Sequence, residues 1–421
     1  MQEEPIEFAA FVGIDWADKK HDICLVVPGS EKREFSVIEH RPAAIKNWAL
    51  ELRKRFGGAP VAVCVELTQG PIVSALLEYD FFVLFPVNPA TLAGYRRAFK
   101  TSRAKDDPTD AEVAVDILTR HRDKLTRLRQ ERPAMRMLRR LVAGRRDLVQ
   151  DRVRLTNRIT YLLKEYFPQV LQWFRDKETA VFADFVERWP TLKAAQRARP
   201  ETLTAFFHAH SVRRPALIQR RLEAIRSEQP LTSDPAVIEP ARLMVEALLP
   251  QLRTLRLAIA KVDAEIASLS ESLPDHKLFA ALPETGRVFS ARLLAGFGEQ
   301  RDRFPNAAAF QMHAGIAPVT ERSGNKHWVH WRWACPKFLR QSFVEWAAET
   351  VRRSFWARAF YDSHRAKGAR HNATIRALAF KWIRILFRCW VDRTPYDEAR
   401  YLLVLQKRHS PLLKFAAQPP A

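Results

Sequence analysis

Short apolar runs separated by polar turns fill the start of the chain, and long helical periodicities replace them further on. Phe11-Val-Gly-Ile-Asp15 is an apolar run ending in an acid, and after the polar turn Trp16 to Asp22 a second run follows at Ile23 to Val27, which reads as a hairpin. A third strand is expected at Glu34 to Ile38, then an amphipathic helix from Pro42 to Phe56, a strand at Val61 to Val65 ending on Glu66, a helix at Pro71 to Tyr79 and a strand at Phe81 to Val87.

The middle of the chain changes period. From Leu138 apolar positions recur at spacings of three and four through Leu141, Leu148, Leu155, Ile159 and Leu162, with Arg145 and Arg152 on the same seam. A second, unbroken heptad starts just after Pro250 and runs Leu252, Leu255, Ile259, Val262, Ile266, Leu269, Leu273. The two helices can pair within the chain or between subunits, or simply belong to a helical bundle. The first also carries Arg136, Arg139, Arg140, Arg146, Arg154 and Arg158, whose outer positions suit a row of phosphates. Between the heptads, residues 168 to 240 are broken by prolines into short helical pieces with aromatic patches, an inserted helical segment.

Composition narrows the partners. Lys and Arg number 69 against 47 Asp and Glu, a formal net charge of +22 in 421 residues, so a polyanion is expected. An anionic membrane surface is the rival, but no run of about 18 apolar residues exists to span a bilayer. The opening Met1-Gln-Glu-Glu-Pro5 lacks the basic and apolar regions of a signal peptide, and a cytoplasmic protein is expected. Cys24, Cys64, Cys335 and Cys389 lie far apart with no Cys-x-x-Cys pair, which argues against a zinc ribbon or disulfide framework and leaves buried or incidental thiols.

Three strands followed by helix, strand, helix, strand, helix is the order of the RNase H-like fold, in which acids at strand ends converge on metal. Asp15 ends the first strand, Glu66 ends the fourth, and Asp107 and Asp110 open a later helix on one face at a spacing of three. Such a set suits phosphodiester chemistry, because hard divalent cations take carboxylate oxygens and neutralise phosphate charge. The plainer reading is that Asp107-Pro108-Thr109-Asp110 is an ordinary helix start, Asp15 a turn residue and Glu66 a solvated strand end. Asp106 is a near neighbour of Asp107, and His21 and Asp22, though candidate ligands, are expected on the hairpin surface.

Further on, Leu282-Pro-Glu-Thr-Gly286-Arg-Val resembles the turn of a helix-hairpin-helix module, which offers backbone N–H groups to a phosphate. A helix at Ala307 to His313 leads to Ala314-Gly-Ile-Ala-Pro318, and beyond the polar loop to Ser323-Gly324 aromatic and basic groups interleave in His327-Trp-Val-His-Trp-Arg-Trp333. That strip either stacks on bases or is a strand with its tryptophans in the core. Helices at Lys337 to Arg353 and Arg370 to Cys389 follow, both amphipathic and rich in Arg.

Gly13-Ile-Asp15, Glu66, Lys105-x-Asp107-x-x-Asp110-Ala111, Pro283-x-x-Gly286, Ala314-Gly-Ile-Ala-Pro318, Ser323-Gly324 and Lys337-Phe-Leu-Arg340 together resemble the DEDD transposases of the insertion-sequence-110 family. The resemblance covers about the first 125 residues and Leu278 to about Trp390. It implies an RNase H-like, RuvC-like α/β domain at 1–125 and a mainly helical transposase domain at 278–400; with the heptads read as a helical coiled-coil region at 126–277 carrying the insertion 168–240, and a tail at 401–421, a multidomain α+β/α chain is expected. It implies that Asp15, Glu66, Asp107 and Asp110 bind Mg²⁺ or Mn²⁺ and that Ser323 attacks DNA to form a transient phosphoserine link; from the residues alone Ser323 is only a Ser-Gly turn. Ser290, Ser342 and Thr320 are weaker nucleophile candidates. It implies a structured guide RNA, DNA element ends and target as partners, and a homo-oligomer, dimer or tetramer. Two departures stand out: the long Pro-broken segment, and His327 to Trp333 where a Gly-rich run usually follows the Ser-Gly pair. The rival readings are a junction-resolving nuclease using the carboxylates alone, for which Ser323→Ala leaves cutting intact, and a non-catalytic nucleic-acid-binding assembly factor, for which Asp15→Asn and Asp110→Asn change nothing.

Overall fold

The computed structural model describes residues 6–66, 68–99 and 107–415, and of Asp107 only the backbone. The chain divides into two compact units, Met1–Gln130 and Glu131–Ala421.

The first unit is built on a five-stranded sheet in the order β3-β2-β1-β4-β5, with β1 at Ala10–Trp16, β2 at Lys20–Val26, β3 at Arg33–Glu39, β4 at Val61–Val65 and β5 at Phe82–Pro86. Hairpin connections make β1, β2 and β3 antiparallel, whereas β1, β4 and β5 run parallel and need crossovers. The helices are α1 (Pro42–Arg55), α2 (Pro71–Leu76), α3 (Pro89–Phe99) and α4 (Asp107–His121). Alternation along the strands sorts the two faces. Val12, Ile14, Val61, Val63 and Val65 pack with Trp48, Leu52, Ile72 and Leu76 of α1 and α2. Ala62 and Cys64 pack with Val113, Ala114, Ile117 and Leu118 of α4. β4, apolar without a break, is buried on both faces, as a central parallel strand should be. This mixed sheet is compatible with the RNase H-like domain expected from the sequence.

In the second unit α5 (Pro133–Tyr166) is followed by the short helices α6 (Gln169–Trp173), α7 (Ala180–Arg188), α8 (Leu192–Arg197), α9 (Pro200–Ala209) and α10 (Pro215–Ser227), and then by α11 (Pro235–Glu271). α5 and α11 pair antiparallel within the chain. Met135 and Leu138 share a core with Ile266 and Leu273, while Ile159 and Leu163 share another with Leu248, Leu249 and Leu252. The second of these cores is closed by the aromatic residues of α6 to α9, among them Phe174, Phe182, Phe185 and Phe207.

The structure departs from the sequence periodicity in two places. α11 starts at Pro235, well before the heptad that follows Pro250, and runs through both Pro240 and Pro250. The Asp234 carboxylate caps it by accepting from the Ala236 N–H at 2.8 Å, and burial of Ala241, Val245, Leu248 and Leu249 offsets the lost backbone bonds. On α5 the buried line passes through Leu138, Val142, Thr156, Ile159 and Leu163, so Leu141, Leu148, Leu155 and Leu162 flank the seam. The arginines on it are paired: Arg145 Nη2 donates to Asp263 at 3.0 Å and Arg152 meets Glu178 at 2.7 Å.

The rest of the unit comprises α12 (His276–Ala280), α13 (Gly286–Phe297), α14 (Ala307–His313), the hairpin β6 (Val319–Ser323) and β7 (Lys326–His330), then α15 (Lys337–Thr350), α16 (Phe355–Ala366), α17 (His371–Val391) and α18 (Glu398–Lys407). Trp346, Trp356, Trp382 and Trp390 fill its core, and each indole N–H finds an acceptor: Pro283 O at 2.8 Å, Tyr396 OH at 2.7 Å, Thr350 Oγ1 at 2.9 Å and Gly298 O at 3.1 Å. Among the described residues no helix is long and apolar enough to cross a membrane.

Candidate functional site

Ile14 and Val65 are the last partners of the parallel pair β1–β4, so Asp15 and Glu66 leave adjacent strands at the same level. Alternation puts Asp15 on the face of Gly13, and Glu66 on the face of Ala62 and Cys64. That is the face covered by α4. The Cys64 thiol reports the same geometry: burial, helped by the Glu66 charge, pushes its pKa up to about 12.

Gly13 sets the position of α4. A Cβ at Gly13 would sit 2.1 Å from the Ala111 carbonyl oxygen and 2.8 Å from the Val115 nitrogen, so the helix backbone lies directly on the strand. At the other end of β1 the Arg122 guanidinium stacks on Phe8 at 5.1 Å, and Phe8 shares a core with Ile117 and Leu118. α4 therefore runs antiparallel to β1. Its first turn, with Asp107 and Asp110, points to the strand end that carries Asp15.

Asp110 is half-buried and ion-paired with Arg96 of α3. Lower on the helix, Arg33 of β3 pairs with Glu112 and with Asp116 at 2.7 Å. The side chain of Asp107, together with Lys105 and Asp106, lies outside the described residues. Among the described residues no three Asp, Glu, His or Cys side chains stand close enough to hold an ion. What the fold brings together is a face: Asp15 and Glu66 at the strand ends, with the Asp110 turn above them.

His21 and Asp22 are not on the hairpin surface; both are buried. They point to opposite faces of β2. His21 lies on the side of α1 and shares a 2.9 Å hydrogen bond with His40 Nδ1, and burial is the largest influence lowering its pKa. Asp22 stands directly across from Asp15 on the side of α4, with Lys20 at 3.3 Å. Like charges placed opposite each other in a sheet repel, and a cation beside them relieves this.

In the second unit Ser323 is the last residue of β6, opposite Lys326, and Gly324 takes the two-residue turn at φ 55°. Thr320 to Ser323 and all of β7 are exposed. The tryptophan strip is not core. Trp328 and Trp333 are exposed, and Trp331 is half-covered by the guanidiniums of Arg340 at 4.4 Å and Arg376 at 4.7 Å. Ser290 and Ser342 are buried, donating to Arg287 O and Phe338 O, whereas Thr320 is exposed. In the Pro283 to Gly286 turn, Glu284 and Gly286 both adopt positive φ.

Residues 12–168 match the family model of DEDD transposases of the IS110 type, and residues 276–362 match the transposase model of the IS116/IS110/IS902 family. The IS117 mini-circle protein of Streptomyces coelicolor, which carries a transposase name, is 29% identical over 97% of this chain and 98% of its own. The chain belongs to the IS110 family of transposases. An IS110 protein of the same species is 26% identical over 70% of this chain and 72% of its own, and an IS116 protein of Streptomyces clavuligerus is 26% identical over 92% and 96%.

As an insertion-sequence transposase the protein is an enzyme whose partner is DNA. The first matched stretch contains Asp15, Glu66, Asp107 and Asp110, and the second contains Ser323. Sequence reasoning undervalued Asp22. The signal was present in the alternation of Asp22 with Cys24, which places it on the same face as the buried thiol, but register with Asp15 becomes visible only once β1 and β2 are paired.

Proposed function

We propose that this transposase cuts and rejoins DNA with two sets of residues: the carboxylates Asp15, Glu66, Asp107 and Asp110, which hold Mg²⁺ or Mn²⁺, and Ser323, the nucleophile. The carrying observation is the direct seat of α4 on Gly13, which aims the Asp107–Asp110 turn at the end of β1 beside Asp15 and Glu66. An all-oxygen carboxylate donor set suits a hard divalent ion. When bound, the ion supplies charge neutralisation at phosphate oxygens.

The Ser323 Oγ–P bond forms as the P–O bond of the cut strand breaks, and the serine proton ends on the strand oxygen released. Rejoining is the reverse with a different strand hydroxyl, so phosphodiester bonds are conserved. Ser323 is suited to this by its place beside a tight turn, where a strand can reach it without entering the core. Lys326 stands opposite on the same face and offers donors to the phosphate. In this reading the excess of cations serves a structured guide RNA as well as DNA, the chain works as a dimer or tetramer, and the acids and the serine belong to separate domains, 1–125 and 278–400, joined by the helical region 126–277.

The test is to incubate the protein, with any RNA that copurifies, with DNA carrying element ends and Mg²⁺, and to resolve covalent protein–DNA adducts on a denaturing gel. Ser323→Ala and Asp15→Asn should each abolish the adduct, as should omission of Mg²⁺, while DNA binding persists. Free cleaved ends without adduct, unchanged by Ser323→Ala, would leave a nuclease that uses the carboxylates alone.

A further inference from the structure

At the root of the serine hairpin a cleft of about 980 Å³ opens between residues 315–318, the end of β7 with the irregular Trp331–Trp333 segment that follows it, and the helices α16 and α17. Its size falls at the upper end of small-molecule sites. Among the described residues its wall contains no acid, and it contains Arg376, Lys381 and Arg384 of α17. None of these three has a carboxylate partner among the described residues; Arg376 rests on Trp331, and the Lys381 ammonium lies 5.1 Å from the ring centres of Trp356 and Phe360. Burial holds the Lys381 pKa below its ordinary value, a cost that a bound anion would remove. Arg376, Phe380 and Arg384 recur every four residues, so cation, ring and cation line one stripe of the helix. Across from them stands Trp333, 73% exposed.

Cations without a carboxylate partner among the described residues, set beside the open indole of Trp333 and the half-buried ring of Phe380, match the two halves of a nucleotide, phosphate and base. We propose that this cleft receives an unstacked nucleotide of the DNA strand on which Ser323 acts, with its base against Trp333 and Phe380 and its phosphates on Arg376 and Arg384. The hairpin fixes the spacing. From the Val319–His330 pair at the cleft to the Ser323–Lys326 pair at the tip is four residues, about 14 Å at ~3.4 Å per residue. Along the axis of a duplex, where one strand advances ~3.4 Å per step, that span is roughly four steps, and an unstacked strand covers it in fewer. Which strand occupies the cleft rests on the reading of Ser323; that the cleft binds a nucleotide does not.

The experiment uses the full chain and a fluorescent oligothymidylate of about twelve residues, a length covering one such binding groove, alongside a duplex and a ribo-oligonucleotide of equal length. Trp333→Ala and Arg384→Glu, both at exposed positions, are expected to weaken single-stranded DNA binding about tenfold or more, with a smaller loss on the duplex and none in Ser323→Ala. Equal losses on single strand and duplex would reduce the cleft to a patch of charge and overturn the proposal, as would unchanged binding. A larger loss for the ribo-oligonucleotide would overturn it in favour of RNA. If Ser323→Ala still forms adducts while the cleft variants lose single-stranded binding, the serine reading fails and the nucleotide site stands.

Discussion

Gly13 is a residue at which one methyl group would be felt across the candidate site. Its Cβ would meet backbone atoms of Ala111 and Val115, which cannot step aside by changing rotamer, so α4 must move. Gly13→Ala should cost about 1–3 kcal/mol in chemical unfolding, as overpacking does. Because α4 carries Asp107 and Asp110, the yield of protein–DNA adduct should fall further than the stability loss explains; a variant that keeps full adduct yield would separate the seat of α4 from the chemistry. His313 offers a second test at this scale. It packs against Phe304 and Phe310, and burial together with the charges of Arg303 and Arg139 lowers its pKa to about 4. In the unfolded chain a histidine titrates near 6.5, so between about 6.5 and 4 the unfolded state binds more protons and stability falls as the pH falls. The loss attributable to His313 is at most about 3 kcal/mol, complete near pH 4. His313→Gln should flatten the fall in melting temperature between pH 7 and pH 5, and an unchanged slope would assign the acid lability to other groups, His21 among them.

The antiparallel pair α5–α11 lets burial be tested position by position along one element. Ile259 is buried on the seam, and Leu257, two residues away, is 68% exposed. Ile259→Ala should cost about 2–5 kcal/mol and Leu257→Ala less than about 0.5 kcal/mol, measured by chemical unfolding. Comparable costs would mean that the outer face of α11 is also covered, as it would be by a second copy of the chain. At this scale the sequence was most legible where a period met a punctuation mark. β4 and α14 match their expected bounds, and α1 begins at Pro42 as expected, where proline stands in the first turn of the helix. The α5 seam was read a residue off along half its length, because Leu141, Leu148, Leu155 and Leu162 looked better suited to a core than Thr156. Tertiary packing made that choice, since a helix facing two separate cores can bury a threonine and leave leucines half-covered. The candidate acids were legible as strand ends, but their common face depends on sheet order and on the seat of α4, neither of which a run of residues discloses. The place of the tryptophan strip was similarly hidden, because an alternating aromatic strand looks the same whether its partner is a core or a solvent-facing hairpin.

At the scale of the whole molecule the formal charge of +22 makes nucleic-acid affinity a question of which cations meet phosphate and which are spent inside the fold. α5 separates the two kinds. Arg136, Arg154 and Arg158 are exposed, whereas Arg139 pairs with the buried Glu131 and donates from Nε to Ala295 O at 2.8 Å, and Arg146 stacks on Phe338 at 4.5 Å. Affinity for DNA should fall linearly on logarithmic axes as salt rises, and six to ten phosphate contacts would lower it about 10³- to 10⁵-fold between about 50 and 200 mM. If the outer face of α5 lies along phosphates, Arg136→Ala and Arg158→Ala should each reduce the magnitude of that slope by about one without altering the melting temperature. Arg139→Ala should instead destabilise the fold by about 1–3 kcal/mol, since it removes the ion pair and leaves the buried Glu131 carboxylate on the Glu299 N–H at 3.2 Å, and leave the slope of the remaining folded protein unchanged. Slopes identical to wild type in the two exposed variants would remove α5 from the nucleic-acid surface and place the contacts on other arginines, with the α17 stripe of Arg376 and Arg384 the next to be measured in the same way.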